Sequence, residues 1–294
     1  MSARQVRFKQ VDVFSAVPLK GNPLAVVFDA DGLSDDEMQA FARWTNLSET
    51  TFICKPRDPA ADYLVRIFTI DGELPFAGHP TLGTAHALVE SGYRPRTAGR
   101  LVQQCGIGLV EIEDRDAGVR AFAAPPARLT PLAEHEYDAL RAALRTDQID
   151  FTTPPCAMHN GARWFAVRLK SAAACLALKP DLAALAALVR RTGMSGLAAY
   201  GLYAEGGPAT FEVRCIVTGR GANCYEDPIT GSANAGLACL LTAYERRPGQ
   251  RYTARQGTVL GRDGRIFVDY DDATGKTWIG GAATTIVDGT VRLP

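Results

Sequence analysis

Glu73-Leu-Pro-Phe-Ala-Gly-His-Pro-Thr-Leu-Gly83 lies over Glu226-Asp-Pro-Ile-Thr-Gly-Ser-Ala-Asn-Ala-Gly236 without a gap. Glu73 meets Glu226, Pro75 meets Pro228, Gly78 meets Gly231 and Gly83 meets Gly236; further on, Ala85 meets Ala238 and Leu88 meets Leu241. Every pair is 153 positions apart (226 − 73, 241 − 88), a little over half of the 294-residue chain. Upstream of each copy runs a strand-like segment with a Val-Arg pair, Tyr63-Leu-Val-Arg-Ile-Phe-Thr69 and Phe211-Glu-Val-Arg-Cys-Ile-Val217. The shared order of strand, acidic turn, glycine and small-residue helix reads as a duplication. Two copies imply two similar lobes, not a solenoid, which needs three or more repeats.

Pro80 suits the first turn of a helix, where its missing N–H costs nothing. That helix should run through Ala85, His86 and Leu88 to a stop near Gly92. In the second copy the helix should begin near Ser232, read as an N-cap, and pass through Leu237, Leu240 and Leu241. Both helices are rich in Gly and Ala and nearly free of charge. A helix without a polar face is buried on all sides, and small residues let strands approach it closely. The expected fold is therefore α+β, with a mixed sheet rolled around a central helix in each lobe. The expected lobes are residues 1–125, with the last strand, 282–294, as a candidate addition, and residues 126–281.

The remaining pattern fits. Strands are expected at Arg7–Ser15, Leu24–Phe28, Thr50–Cys54, Arg100–Gln104, Leu109–Glu113 and Val119–Ala123, then at Trp164–Leu169, Ala198–Ala204, Ile266–Tyr270 and Thr277–Ile279. Ser34-Asp-Asp-Glu37 is a capping box opening a helix to about Trp44. Leu132–Arg145 and Asp181–Arg191 read as amphipathic helices.

Composition narrows the function. Hydrophobic residues make up 47% and charged ones 22%, as in an ordinary globular protein. Lys plus Arg balances Asp plus Glu at 32 each, and no basic stripe is present, so nucleic acid is not an expected partner. The longest uncharged stretches, such as Ile229 to Tyr244, fall short of the roughly 20 apolar residues of a membrane span. Met1 to Asp12 has no apolar segment of the secretory kind, and the chain reads as cytoplasmic. Seven cysteines stand singly, without a C-x-x-C pair, and four histidines lack a second ligand at zinc spacing. No metal and no cofactor are expected; Lys-Ser/Thr of a phosphate loop is missing after both glycines.

A buried helix start carrying Gly-His or Gly-Ser is an anion site, because free N–H groups and the dipole point outward. His79 sits among such groups, which favours its neutral, proton-accepting form. Read alone, His79 is more often a satisfied core residue, Asp227 an acidic group complementing the dipole, and Glu49 more often a solvated turn carboxylate.

Asp12-Val-Phe with Gly21-Asn-Pro-Leu-Ala-Val26, Asn46-Leu-Ser-Glu-Thr-Thr-Phe52, Phe76-Ala-Gly-His-Pro-Thr-Leu-Gly-Thr-Ala85 and Glu226-Asp-Pro-Ile-Thr-Gly-Ser-Ala233 follow one another along nearly the whole chain. In kind and order these blocks resemble the phenazine-biosynthesis (PhzF-like) isomerase family. The resemblance implies a diaminopimelate epimerase-like fold with the site in the cleft between lobes, and a homodimer. It further implies a cofactor-independent isomerase that moves a proton on a small unsaturated carboxylic acid resembling a dihydro-3-hydroxyanthranilate. Glu49 would be the main general acid/base, assisted by His79 and Asp227, with Gly78, Gly231 and Ser232 holding the substrate. After Gln256-Gly the family often carries Gly-Arg-Pro-Ser, whereas this chain reads Thr-Val-Leu-Gly-Arg-Asp-Gly264.

Two other readings stand beside it. A cofactor-independent amino-acid epimerase uses two opposed thiols, one before each helix-start glycine; here Ala77 and Thr230 stand there. A non-catalytic scaffold or partner-binding protein would keep the fold without the chemistry.

Overall fold

In the computed structural model, which describes residues 4–115, 118–218 and 224–293, the chain divides into two units. One comprises Met1–Ala123 with Gly280–Pro294 and the other Ala124–Ile279. The first unit contains β1 (Arg4–Val13), β2 (Asn22–Val27), α1 (Asp35–Thr45), β3 (Glu49–Cys54), β4 (Tyr63–Phe68), β5 (Glu73–Leu74), α2 (Gly78–Glu90), β6 (Arg100–Cys105), β7 (Gly108–Asp114) and β8 (Arg120–Ala123). The second contains β9 (Arg128–Pro131), α3 (Tyr137–Leu144), β10 (Cys156–His159), β11 (Arg163–Leu169), α4 (Ala172–Ala177), α5 (Leu182–Arg191), β12 (Gly196–Leu202), β13 (Phe211–Thr218), β14 (Cys224–Asp227), α6 (Gly231–Ala243), β15 (Arg251–Gln256) and β16 (Gly264–Asp271). β17 (Lys276–Gly281) has its last two residues in the first unit, to which β18 (Ala283–Leu293) also belongs.

The duplication is visible in the strand pairing. In the first unit β1–β2 is antiparallel, β2–β3 parallel and β3–β4 antiparallel; β4 then holds β5 antiparallel and β6 parallel, and β6–β7 is antiparallel. From β10 to β16 the second unit repeats that order and those senses. Even the outermost strand recurs: β18 pairs antiparallel with β1, and β9 antiparallel with β10.

Both central helices are 13 residues long, starting at Gly78 and at Gly231. In each unit the sheet curls around its helix: α2 packs on β1, β2, β3, β8 and β18, and α6 on β10, β11 and β16. Gly83 and Gly236 serve the same packing. A Cβ on Gly83 would come within 2.6 Å of Leu24 and 2.7 Å of Val13, and one on Gly236 within 3.1 Å of Met158. The acidic turn is duplicated as an ion pair: Arg66 grips Glu73 through two bonds of 2.8 and 2.7 Å, and Arg214 grips Glu226 through two of 3.0 and 2.8 Å.

Second cores complete each unit. Met38, Phe41 and Ala42 of α1 pack with Val27, Phe52 and Phe68. Leu140, Leu144, Leu185 and Leu188 pack with Phe165, Val167 and Leu197. The Ser34 capping box forms as read, with Glu37 N donating to Ser34 Oγ and Ser34 N to Glu37 Oε2. Two local expectations are corrected. The helix expected from Leu132 begins only at Tyr137, because Arg128–Pro131 pairs as a strand with β10 and a short 3-10 turn, Glu134–Glu136, intervenes. Ser232 is not an N-cap: Thr230 occupies that place, and Ser232 is the second residue of α6.

Candidate active site

The first unit gathers Glu49, His79 and Gly78. Asn46 closes α1 in the left-handed conformation (φ 53°), and after Leu47 and Ser48 the chain enters β3 at Glu49. Parallel pairing sets Glu49 beside Leu24 of β2. The start of β2 is fixed by Asp12, whose Oδ2 accepts from Gly21 N at 2.8 Å. A Cβ at Gly21 would lie 2.4 Å from the Val13 carbonyl oxygen, so the turn delivering Asn22 needs glycine there.

His79 is buried in the first turn of α2, with Nε2 3.3 Å from Glu49 Oε2. Its Nδ1 lies 3.4 Å from the amide nitrogen of the fully buried Asn22. Burial pushes the imidazole down to about 3, so His79 is neutral at physiological pH. No side chain caps α2 at Ala77, and the first intrahelical bond there runs from Thr81 N to Ala77 O. The helix start thus offers the Gly78 and His79 N–H groups beside the carboxylate–imidazole pair.

The second unit gathers Asp227, Gly231 and Ser232. Asp227 ends β14, and its Oδ2 accepts from Thr230 Oγ1 at 2.5 Å. Gln256, fully buried, donates to the Asp227 carbonyl at 3.0 Å and accepts from Thr230 N at 3.0 Å, bracing the Asp227–Gly231 turn. Reading the sequence for charged chemistry missed Gln256, although the 153-residue offset pointed to it. Gln103, its counterpart, is also fully buried and donates to Thr81 Oγ1 at 3.0 Å.

The two helix starts differ in what faces them. Following the registers from Glu73 through Phe68 and Thr50 leads to Glu49; following them from Glu226 through Ile216 and Leu197 leads to Gly196. Gly196 therefore holds the place of Glu49, as Ser232 holds that of His79. Trp164, the register partner of Gly196, fills the gap: a Cβ on Gly196 would meet its ring at 2.6 Å. Trp164 Nε1 donates to Ser232 Oγ at 3.0 Å, and Asn160 Nδ2 donates to the Ser232 carbonyl at 2.9 Å. One half carries a carboxylate on an imidazole, the other an indole on a hydroxyl.

Ala77 and Thr230 are the N-cap residues of the two central helices, the positions at which a thiol-based epimerase would place cysteines. Cys224 lies in β14 and Cys239 inside α6. Among the described residues no three His, Cys, Asp or Glu side chains cluster as a metal site would require. Nor is any described helix long and apolar enough to cross a membrane.

A duplicated α+β fold, with a carboxylate and an imidazole at one helix start and no thiol at either N-cap, belongs to the epimerase-like fold class. The family model for phenazine biosynthesis-like proteins matches residues 11–289. The chain belongs to this family, the PhzF family of isomerases, and is an isomerase. It is 37% identical over 289 residues to trans-2,3-dihydro-3-hydroxyanthranilate isomerase of Pseudomonas chlororaphis, covering 96% of this chain and 98% of that one. It is 36% identical over 293 residues to antisense-enhancing sequence 1 of Schizosaccharomyces pombe, covering 96% and 97%. Its structure is similar to that of a predicted epimerase from Pseudomonas aeruginosa, with a TM-score of 0.80, 27% identity and coverage of 97% and 99%.

Proposed function

We propose that the protein moves a proton within a small unsaturated carboxylic acid of the dihydro-3-hydroxyanthranilate kind, with Glu49 as the general acid/base. The observation that carries this reading is the Glu49–His79 contact of 3.3 Å at a helix start that no side chain caps. A proton on carbon between two π systems is acidic enough for a shielded, well-placed carboxylate to remove. Backbone N–H groups at Gly78 suit the substrate's carboxylate and would fix its distance from Glu49, and the Gly231 N–H and Ser232 hydroxyl are further candidates to hold the substrate. His79 and Asp227 assist, by holding the protonation state of Glu49 or returning the proton to the second carbon. The reading includes a homodimer, which sedimentation equilibrium of the purified chain tests.

An opposed-thiol epimerase is disfavoured by Ala77 and Thr230 at the two N-caps. The deciding experiment is proton exchange in deuterated water with a dihydroanthranilate-like acid. Loss of a positioned acid/base costs about 10²–10⁴-fold in rate, so Glu49→Gln should bind the acid and nearly cease to exchange it. Exchange at the wild-type rate in that variant would reduce Glu49 to a turn residue.

A further inference from the structure

His79 makes a second contact that the proton-transfer reading leaves unused. On the side away from Glu49, Nδ1 faces the amide nitrogen of Asn22 at 3.4 Å, while Ser48 Oγ lies 3.5 Å from the amide oxygen, Oδ1. An amide nitrogen only donates, so Nδ1 must accept. A neutral imidazole that accepts at one nitrogen carries its single proton on the other.

We propose that Asn22 is a positioning residue that locks His79 as the Nε2–H tautomer, so that the imidazole turns its N–H, and not its lone pair, to the side of Glu49 Oε2, 3.3 Å away. Its consequence for catalysis rests on the reading of Glu49 as the acid/base; the tautomer itself does not. A donor facing the carboxylate favours ionised Glu49, the form ready to take a proton from carbon. The opposite tautomer would turn a lone pair toward the carboxylate and favour its protonated form.

Local construction supports the assignment. Asp12 holds Gly21, and Gly21 lacks the Cβ that would strike Val13, so Asn22 is delivered at the start of β2 rather than left to a mobile loop. The second unit provides an internal comparison. Leu24 pairs with Glu49 as Trp164 pairs with Gly196, so two residues upstream Asn22 corresponds to Ala162. Where serine replaces the histidine, alanine replaces the asparagine, and the amide that does reach Ser232, that of Asn160, bonds its backbone carbonyl rather than its side chain.

The test is long-range ¹H–¹⁵N correlation on the full chain labelled at histidine, with His79 assigned by its loss in His79→Gln. The wild type should show a protonated Nε2 and an unprotonated Nδ1. A protonated Nδ1, an imidazolium or an even mixture of tautomers would overturn the proposal. Asn22→Asp places an acceptor opposite Nδ1 and should reverse the two resonances; an unchanged pattern in a folded variant also refutes the lock. If that variant does not fold, the wild-type spectrum alone decides. With the tautomer reversed, kcat for exchange should fall at least about 10²-fold while KM changes little, as wrong-tautomer variants of other acid/base sites do. A reversed tautomer with unchanged kcat would refute its role in catalysis. The two readings fail separately. A wild type that shows Nε2–H but exchanges no substrate proton removes the Glu49 mechanism and keeps the lock. One that exchanges and shows Nδ1–H does the reverse.

Discussion

Adding one methyl group at Gly83 and at Gly236 should give different results at positions the duplication makes equivalent. In either helix, Gly→Ala gains about 0.8–1 kcal/mol of helix propensity. At Gly83 the new Cβ would lie 2.6 Å from Leu24 Cδ2 and 2.7 Å from Val13 Cγ2, both on fully buried side chains that cannot retreat. Overpacking of that kind costs about 1–3 kcal/mol, so the net effect is a loss of about 0–2 kcal/mol. At Gly236 the nearest atoms are Cε, Sδ and Cβ of Met158, at 3.1, 3.2 and 3.3 Å. A methionine can give by a few tenths of an ångström, and Gly236→Ala should be neutral or stabilising by up to about 1 kcal/mol. Activity should separate the pair further. Val13 is the register partner of Asn22 and Leu24 that of Glu49, so the strain at Gly83 falls on the strands that aim the candidate acid/base. Urea denaturation of both variants, with substrate-proton exchange measured alongside, provides the assay. If Gly236→Ala lost as much stability as Gly83→Ala, or Gly83→Ala kept full exchange activity, the packing argument would be wrong.

Other outcomes follow from the same geometry. Between the folded pKa of His79, about 3, and its ordinary 6.5, the unfolded chain binds a proton that the folded chain does not, so stability falls as pH drops through that window. The slope contributed by this group approaches about 1.4 kcal/mol per pH unit, and His79→Gln should remove it from urea midpoints compared between pH 4 and 7. The duplicated ion pairs should differ by burial: Arg214→Met, which strands the mostly covered Glu226, should cost about 3–5 kcal/mol, and Arg66→Met, where the pair meets solvent, about 0–1 kcal/mol in equilibrium unfolding. Exchange activity should survive exhaustive chelation, and activity lost to chelator but restored by zinc would show a metal requirement.

The amino-acid sequence by itself determined what rests on contacts within a few residues. The capping box at Ser34 is one such case, and the burial of α2 and α6 follows from their lack of any polar face. The repeat of Glu73 to Gly83 fixed which segments would be equivalent, and the family blocks singled out Glu49, His79 and Asp227. Strand β15 was missed because its inward-facing positions, Tyr252, Ala254 and Gln256, end on a polar residue, which breaks the apolar alternation that marks a strand. Gln256 faces inward because its amide bonds to Thr230 and Asp227, partners up to 29 residues away. Ser232 reads locally as an N-cap, but its hydroxyl accepts from Trp164, which holds it inside the helix. The approach of Asn22, Glu49 and His79 was likewise decided by tertiary structure, through the parallel register of β2 and β3 and the packing of α2 on both strands. Local rules record energies within one turn or one strand; a pairing between distant segments is chosen by the whole sheet closing around its helix, and only that closure sets an imidazole against a carboxylate.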